Sequence, residues 1–90
     1  MRLRIVFTPN AWQDYDDRLR RHMKMARRIS KPVIDVQRVP RGTGIGKPEM
    51  LEGPLSGWSS RRINDEHRLI YRVRGNDLEI AACHGHYLDK

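Results

Sequence analysis

Four residue types in the second half of this chain are spaced so that they could do chemistry together. Glu49 follows Lys47-Pro48, Arg62 and Arg68 flank the polar turn Asn64-Asp65-Glu66, and His86-Tyr87 stand near the end. Cleaving RNA without a metal needs a base to take the 2′-OH proton and an acid to protonate the departing 5′-oxygen. It also needs cations to hold the charge of the pentacoordinate phosphorane. A glutamate, a histidine and two arginines supply that set, and it calls for no cofactor.

Each member alone has an ordinary alternative. A single glutamate is most often solvated, a histidine near a chain end is usually exposed, and the arginines could be surface strand residues paired with Asp65 or Glu66. If the loop holds three residues, Arg62 falls directly opposite Arg68 across a hairpin. Like charges so placed destabilise a sheet by a few tenths to ~1 kcal/mol, a cost that a bound anion relieves. A register shift of one residue would separate them.

Cys83-His84-Gly85-His86 invites a metal reading, but strand alternation sends Cys83 to one face and both histidines to the other. No CxxC or HExxH accompanies them, so no metal site is expected. Cys83 reads as a small buried side chain near helices. Tyr71 shares strand parity with Leu69 and Val73 and belongs to the core, whereas Tyr87 suits base stacking or phosphate contact. Trp58 fits either role. Gly42, Gly44 and Gly46 do not make a nucleotide-binding loop, because no Gly-Lys-Ser/Thr ending is present and no strand immediately precedes them.

The elements that must position these groups can be read in order. Arg2 to Phe7 alternates basic and apolar residues, as a strand with one buried face does. Thr8-Pro9 then opens a helix, with threonine as N-cap and proline at the first helical position. Trp12, Tyr15 and Leu19 give that helix an apolar face, and Met23, Ala26, Ile29, Val33 and Val36 continue the register into a second helix. Pro32 should make the second helix irregular, or Ser30 should cap a fresh start. Val39 to Pro48 is a loop, Glu49 to Glu52 a short strand, and Gly53-Pro54 a turn. Ser56 to Ile63, His67 to Val73 and Leu78 to His84 are strands, the last pair joined at Gly75-Asn76. The fold expected is α+β, in the order β-α-α-β-β-β-β, with two helices on one face of a mainly antiparallel sheet.

Ninety residues make one domain, 1–90. Lysine plus arginine number 18 against 11 acids, a net charge of +7, which implies a polyanionic partner such as nucleic acid. Between Arg18 and Ile34 lie seven lysines and arginines and no acid, either a solvated helix face or a funnel for phosphates. No apolar run reaches the ~18–20 residues of a spanning helix, and the first residues are too short for a signal core. The single cysteine asks for no oxidising compartment. The reading is cytoplasmic, without a membrane.

These segments resemble the YoeB/Txe family of bacterial type II toxin–antitoxin toxins, on the RelE-like fold. The resemblance rests on Gly46-Lys47-Pro48-Glu49, Leu51, Leu55-Ser56-Gly57, Ser60-Arg61-Arg62-Ile63, Glu66-His67-Arg68-Leu69, Tyr71, Ile80 to Cys83, and His86-Tyr87. It implies an endoribonuclease that cleaves mRNA in the ribosomal A site without metal. Glu49 would be the general base, His86 the general acid, and Arg62 and Arg68 the stabilisers of the phosphate. Lys47, Arg61 and Tyr87 are expected to hold substrate. A YefM-like antitoxin and a homodimer are the expected partners.

The chain also departs from that family. Glu52 stands where a lysine is common, His84-Gly85 replaces a larger basic–aromatic pair, and the aromatic before Ser60-Arg61-Arg62 is shifted to Trp58. Pro32 and the run Leu88-Asp89-Lys90 are further differences. Two other readings remain beside the nuclease. One is a non-catalytic module that binds RNA or an antitoxin, which needs the cations but not the acid–base pair. The other is a gyrase-poisoning toxin on the same fold, which the acid–base set argues against.

Overall fold

The computed structural model describes residues 2–38 and 49–84. The loop expected over 39–48, which includes Lys47, and the end of the chain with His86 and Tyr87 lie outside the described residues. Five strands and two long helices follow in the expected order: β1 (Arg4–Phe7), α1 (Pro9–Arg21), α2 (Met23–Arg38), β2 (Glu49–Met50), β3 (Ser59–Arg62), β4 (Arg68–Arg74) and β5 (Asp77–Ala82). A short 3-10 helix, Gly53–Leu55, sits between β2 and β3.

Thr8 opens α1 as expected: its hydroxyl accepts from the Ala11 N–H at 3.2 Å, and Pro9 occupies the first turn. The same hydroxyl donates to the Ala81 carbonyl, which ties the start of the helix to β5. One non-helical residue, His22, separates the helices, and its N–H closes on the Arg18 carbonyl. Pro32 does not break α2, which runs through it. The carbonyl that loses its donor belongs to exposed Arg28, where water can serve it, and the ring itself is buried between Ile29 and Val33. Ser30 caps nothing: its hydroxyl donates back to the Arg27 carbonyl.

The sheet order is β1-β5-β4-β3-β2, antiparallel except where β1 pairs in parallel with β5. Gly75, at φ +57, makes the tight β4–β5 turn. Leu69, Tyr71, Leu78 and Ile80 on one sheet face join Ala11, Ile29, Val33, Val36 and Cys83 in a single core. Trp12 departs from the helix face expected of it. It is half exposed, and the fully buried Ala11 takes the contact, because a small side chain lets α1 lie close to the sheet. Cys83 is fully buried with its Sγ 3.5 Å from the Ala11 carbonyl. No helix of the described residues is long and apolar enough to cross a membrane.

Candidate active site on the sheet face opposite the helices

Strand alternation sorts β3 and β4 into two sets. Leu69 and Tyr71 face the helices, so Arg68, Ile70 and Arg72 face away. The register pairs Arg62 with Arg68, Ser60 with Ile70, and Glu49 with Ser60. Glu49, Arg62 and Arg68 therefore share one face. The Arg68 guanidinium lies 4.0 Å from a Glu49 carboxylate oxygen. Arg68 is mostly covered, while Glu49 is more than half exposed.

The turn that sets this register is built by Asn64. Its side-chain oxygen accepts from the N–H groups of Glu66 (2.9 Å) and His67 (2.7 Å), and its amide donates to the sulfur of Met25 on α2. The Ile63 N–H donates to the His67 carbonyl at 2.9 Å. Ile63 and His67 thus form a hydrogen-bonded pair, and the next pair, Arg62 and Arg68, is of the closer, non-hydrogen-bonded kind, with Cα atoms ~4.5 Å apart. Two cationic side chains rooted on directly opposed residues create a local demand for an anion. Among the described residues neither Asp65 nor Glu66 pairs with these arginines.

Arg61 corrects the expectation placed on it as a substrate-holding residue. It is fully buried on the helix side, where its guanidinium pairs with Asp35 of α2 and donates to the Tyr71 hydroxyl at 3.0 Å. Adjacent residues on a strand point to opposite faces, so Arg61 and Arg62 have opposite fates. The signal was present in Ile63, which shares parity with Arg61 and packs against the core. The partly exposed carboxylate partner, Asp35, was not anticipated.

A second feature that sequence reasoning missed lies beside the arginines. The ring of His67, directly before Arg68, stacks on His84 with centroids 4.3 Å apart. Burial lowers the His67 pKa below its ordinary 6.5, the nearby His84 and Arg18 lower it further, and Glu66 opposes them. The stack sets His84 beside the start of β4. Cys83, next to it, is pushed up to about 12 by burial, with Asp14 raising and Arg18 lowering it. Among the described residues no three histidine, cysteine, aspartate or glutamate side chains gather as metal ligands.

Farther along the same face, Trp58 continues the β3 alternation opposite Arg72, and the Arg72 guanidinium lies 4.2 Å over its ring centroid. Glu79 of β5 accepts from Arg72 Nε at 2.5 Å and from Arg74 at 3.1 Å. Those hydrogen bonds hold the Glu79 carboxyl below the usual carboxylate range.

Known proteins carry the same arrangement of elements. The sequence model of a family described as a YoeB-like toxin of bacterial type II toxin–antitoxin systems matches residues 7–87. The toxin YoeB of Mycobacterium bovis is 47% identical over 83 residues, covering 92% of this chain and 96% of that one. Among solved structures, the toxin of a YoeB-YefM complex from Staphylococcus aureus is 44% identical, with a TM-score of 0.88 over 97% of this chain and all of the other. A YoeB/ParE toxin from Agrobacterium tumefaciens is 39% identical, with a TM-score of 0.89 over 94% of this chain and all of its own. The fold is that of the YoeB/RelE-like toxins. The chain belongs to the YoeB-like family of type II toxin–antitoxin toxins.

Proposed function

We propose that this toxin is an endoribonuclease that cleaves mRNA in the A site of the ribosome, without a metal, and so stops translation. The observation that carries this reading is the convergence of Arg62, Arg68 and Glu49 on one sheet face, with the carboxylate 4.0 Å from the Arg68 guanidinium. A phosphoryl group seated between the two arginines would replace their repulsion with two charge-assisted contacts. Glu49 takes the 2′-OH proton as the oxygen attacks phosphorus, and the arginines hold the charge of the phosphorane. His86 gives its proton to the departing 5′-oxygen. The P–O5′ bond breaks, leaving a 2′,3′-cyclic phosphate and a free 5′-hydroxyl. Lys47 and Tyr87 steady the substrate.

Solved relatives include YoeB-YefM complexes and a YoeB dimer from Staphylococcus aureus. They support a YefM-like antitoxin and a second copy of the chain as partners here. The decisive test incubates the purified protein with translating ribosomes and a defined mRNA, beside Glu49→Ala and His86→Ala. A-site cuts by the wild type that vanish in both variants are expected. A folded, ribosome-bound wild type that makes no cut would overturn the nuclease and leave a binding module.

A further inference from the structure

The face that carries the arginine pair also carries a groove of about 220 Å³, lined by Val6, Phe7, Thr8, Trp58, Arg72 and Glu79. It reaches from β3 across β4 and β5 to β1. Trp58 and Arg72 stand four residues along their strands from Arg62 and Arg68, a distance of ~13 Å, on the same two strands and the same side. Their flat groups already lie one over the other, and Glu79, itself gripped by Arg74, fixes the guanidinium in place. Unpaired bases stack on aromatic rings and on guanidinium planes. We propose that the groove beside the Trp58–Arg72 pair is a subsite for one unpaired nucleobase of an RNA strand, and that seating it there positions the strand whose phosphate lies between Arg62 and Arg68.

Three features converge on this occupant. The groove lies on the same side of the same two strands as the arginine pair, ~13 Å from it, a span of about two nucleotides, so one strand can engage both. The arginines outnumber the single carboxylate around it, two to one, which suits a polyanion rather than an acid-poor peptide. A pre-ordered guanidinium also loses little freedom on binding. The role of the subsite in positioning the cut rests on the nuclease reading above, while base binding itself does not.

The test therefore has two readouts. Trp12→Phe leaves Trp58 as the one remaining tryptophan, and a single-stranded RNA oligonucleotide blocked by 2′-O-methyl groups is titrated against its fluorescence at low salt. Quenching of Trp58 is expected, and with a fluorescein-labelled copy of the oligonucleotide read by anisotropy, Trp58→Leu or Arg72→Ala should weaken binding by roughly 5- to 150-fold. On ribosomes, the same variants should raise the apparent KM with little change in kcat. An abasic nucleotide at one fixed distance from the cut should impair the wild type and leave Trp58→Leu no worse. Quenching without any cleavage would defeat the nuclease reading and leave the subsite standing. Cleavage with no quenching, and with wild-type KM in the variants, would overturn the subsite alone.

Discussion

Arg62 and Arg68 are directly opposed partners in the β3–β4 ladder, and both leave the sheet on the side away from the helices. Function and stability therefore pull in opposite directions at this pair. Arg62→Gln removes one cation from the phosphate site and one half of a like-charge pair. Cleavage on ribosomes should fall by about 10²–10³-fold. Relief of ~0.2–1 kcal/mol of repulsion should leave the melting temperature unchanged or raise it by a few degrees. Thermal melts run beside the cleavage assay check both signs.

Arg61 behaves as its neighbour's opposite. Removing Asp35 strands a buried guanidinium, so Asp35→Leu should cost ~3 kcal/mol or more in urea denaturation. Pairing it with Arg61→Met removes both charges and should restore most of the loss. Equal destabilisation by the single and double variants would show that the ion pair contributes nothing specific.

Cys83 should be chemically silent in the folded chain. Burial holds its thiol up to about 12, so very little thiolate exists at neutral pH. Thiol reagents at pH 7.5 are expected to label it only in step with unfolding. Rapid labelling under native conditions would mean that the contact with α1 opens readily.

The His67–His84 stack gives stability a dependence on pH. The folded-state pKa of His67 lies below its unfolded value, so the unfolded chain binds more protons between the two. Stability from this group is complete above pH 6.5 and falls as pH drops through that value towards the lowered one. His67→Phe keeps a ring against His84 and removes the titration. Its melting temperature should decline less than that of the wild type between pH 7 and pH 5.

Glu52 offers a gain-of-charge test. It is exposed and three residues past Glu49, so a charge there adds to or subtracts from the pull on a nearby phosphate. Glu52→Lys should tighten binding to programmed ribosomes and steepen its dependence on salt by up to about two phosphate contacts. A flat response would place Glu52 off the path of the RNA.

Much of this arrangement could be read from residue order because local chemistry dictated it. Thr8-Pro9 announced α1 and Gly75-Asn76 the last hairpin, whereas the polar turn after Ile63 put Arg62 opposite Arg68 only on condition of a three-residue loop. That opposition depended on loop geometry, which Asn64 supplies through two backbone contacts that no periodicity reveals. Pro32 misled because helix propensity is local, whereas the packing of Ile29, Val33 and Val36 that carries α2 through it is not. Trp12 misled for a related reason: hydrophobicity alone ranks tryptophan above alanine, but the close approach of α1 to the sheet demands the smaller residue. Trp58 and Arg72 meet only because the β3 register, once set, extends that far. Lys47, His86 and Tyr87 lie outside the described residues, so their part in the site stays with the proposal and its test.

The parallel pairing of β1 with β5 joins Arg4 to Asp77 and Phe7 to Ile80, nearly the whole length of the chain apart. Among the described strands, a ribosome making this protein emits β1 first and β5, its sheet neighbour, last. Until β5 emerges, β1 and the helices behind it have no floor to close against, and the core cannot assemble as one unit. A chain that still lacks β5 therefore lacks the assembled core as well.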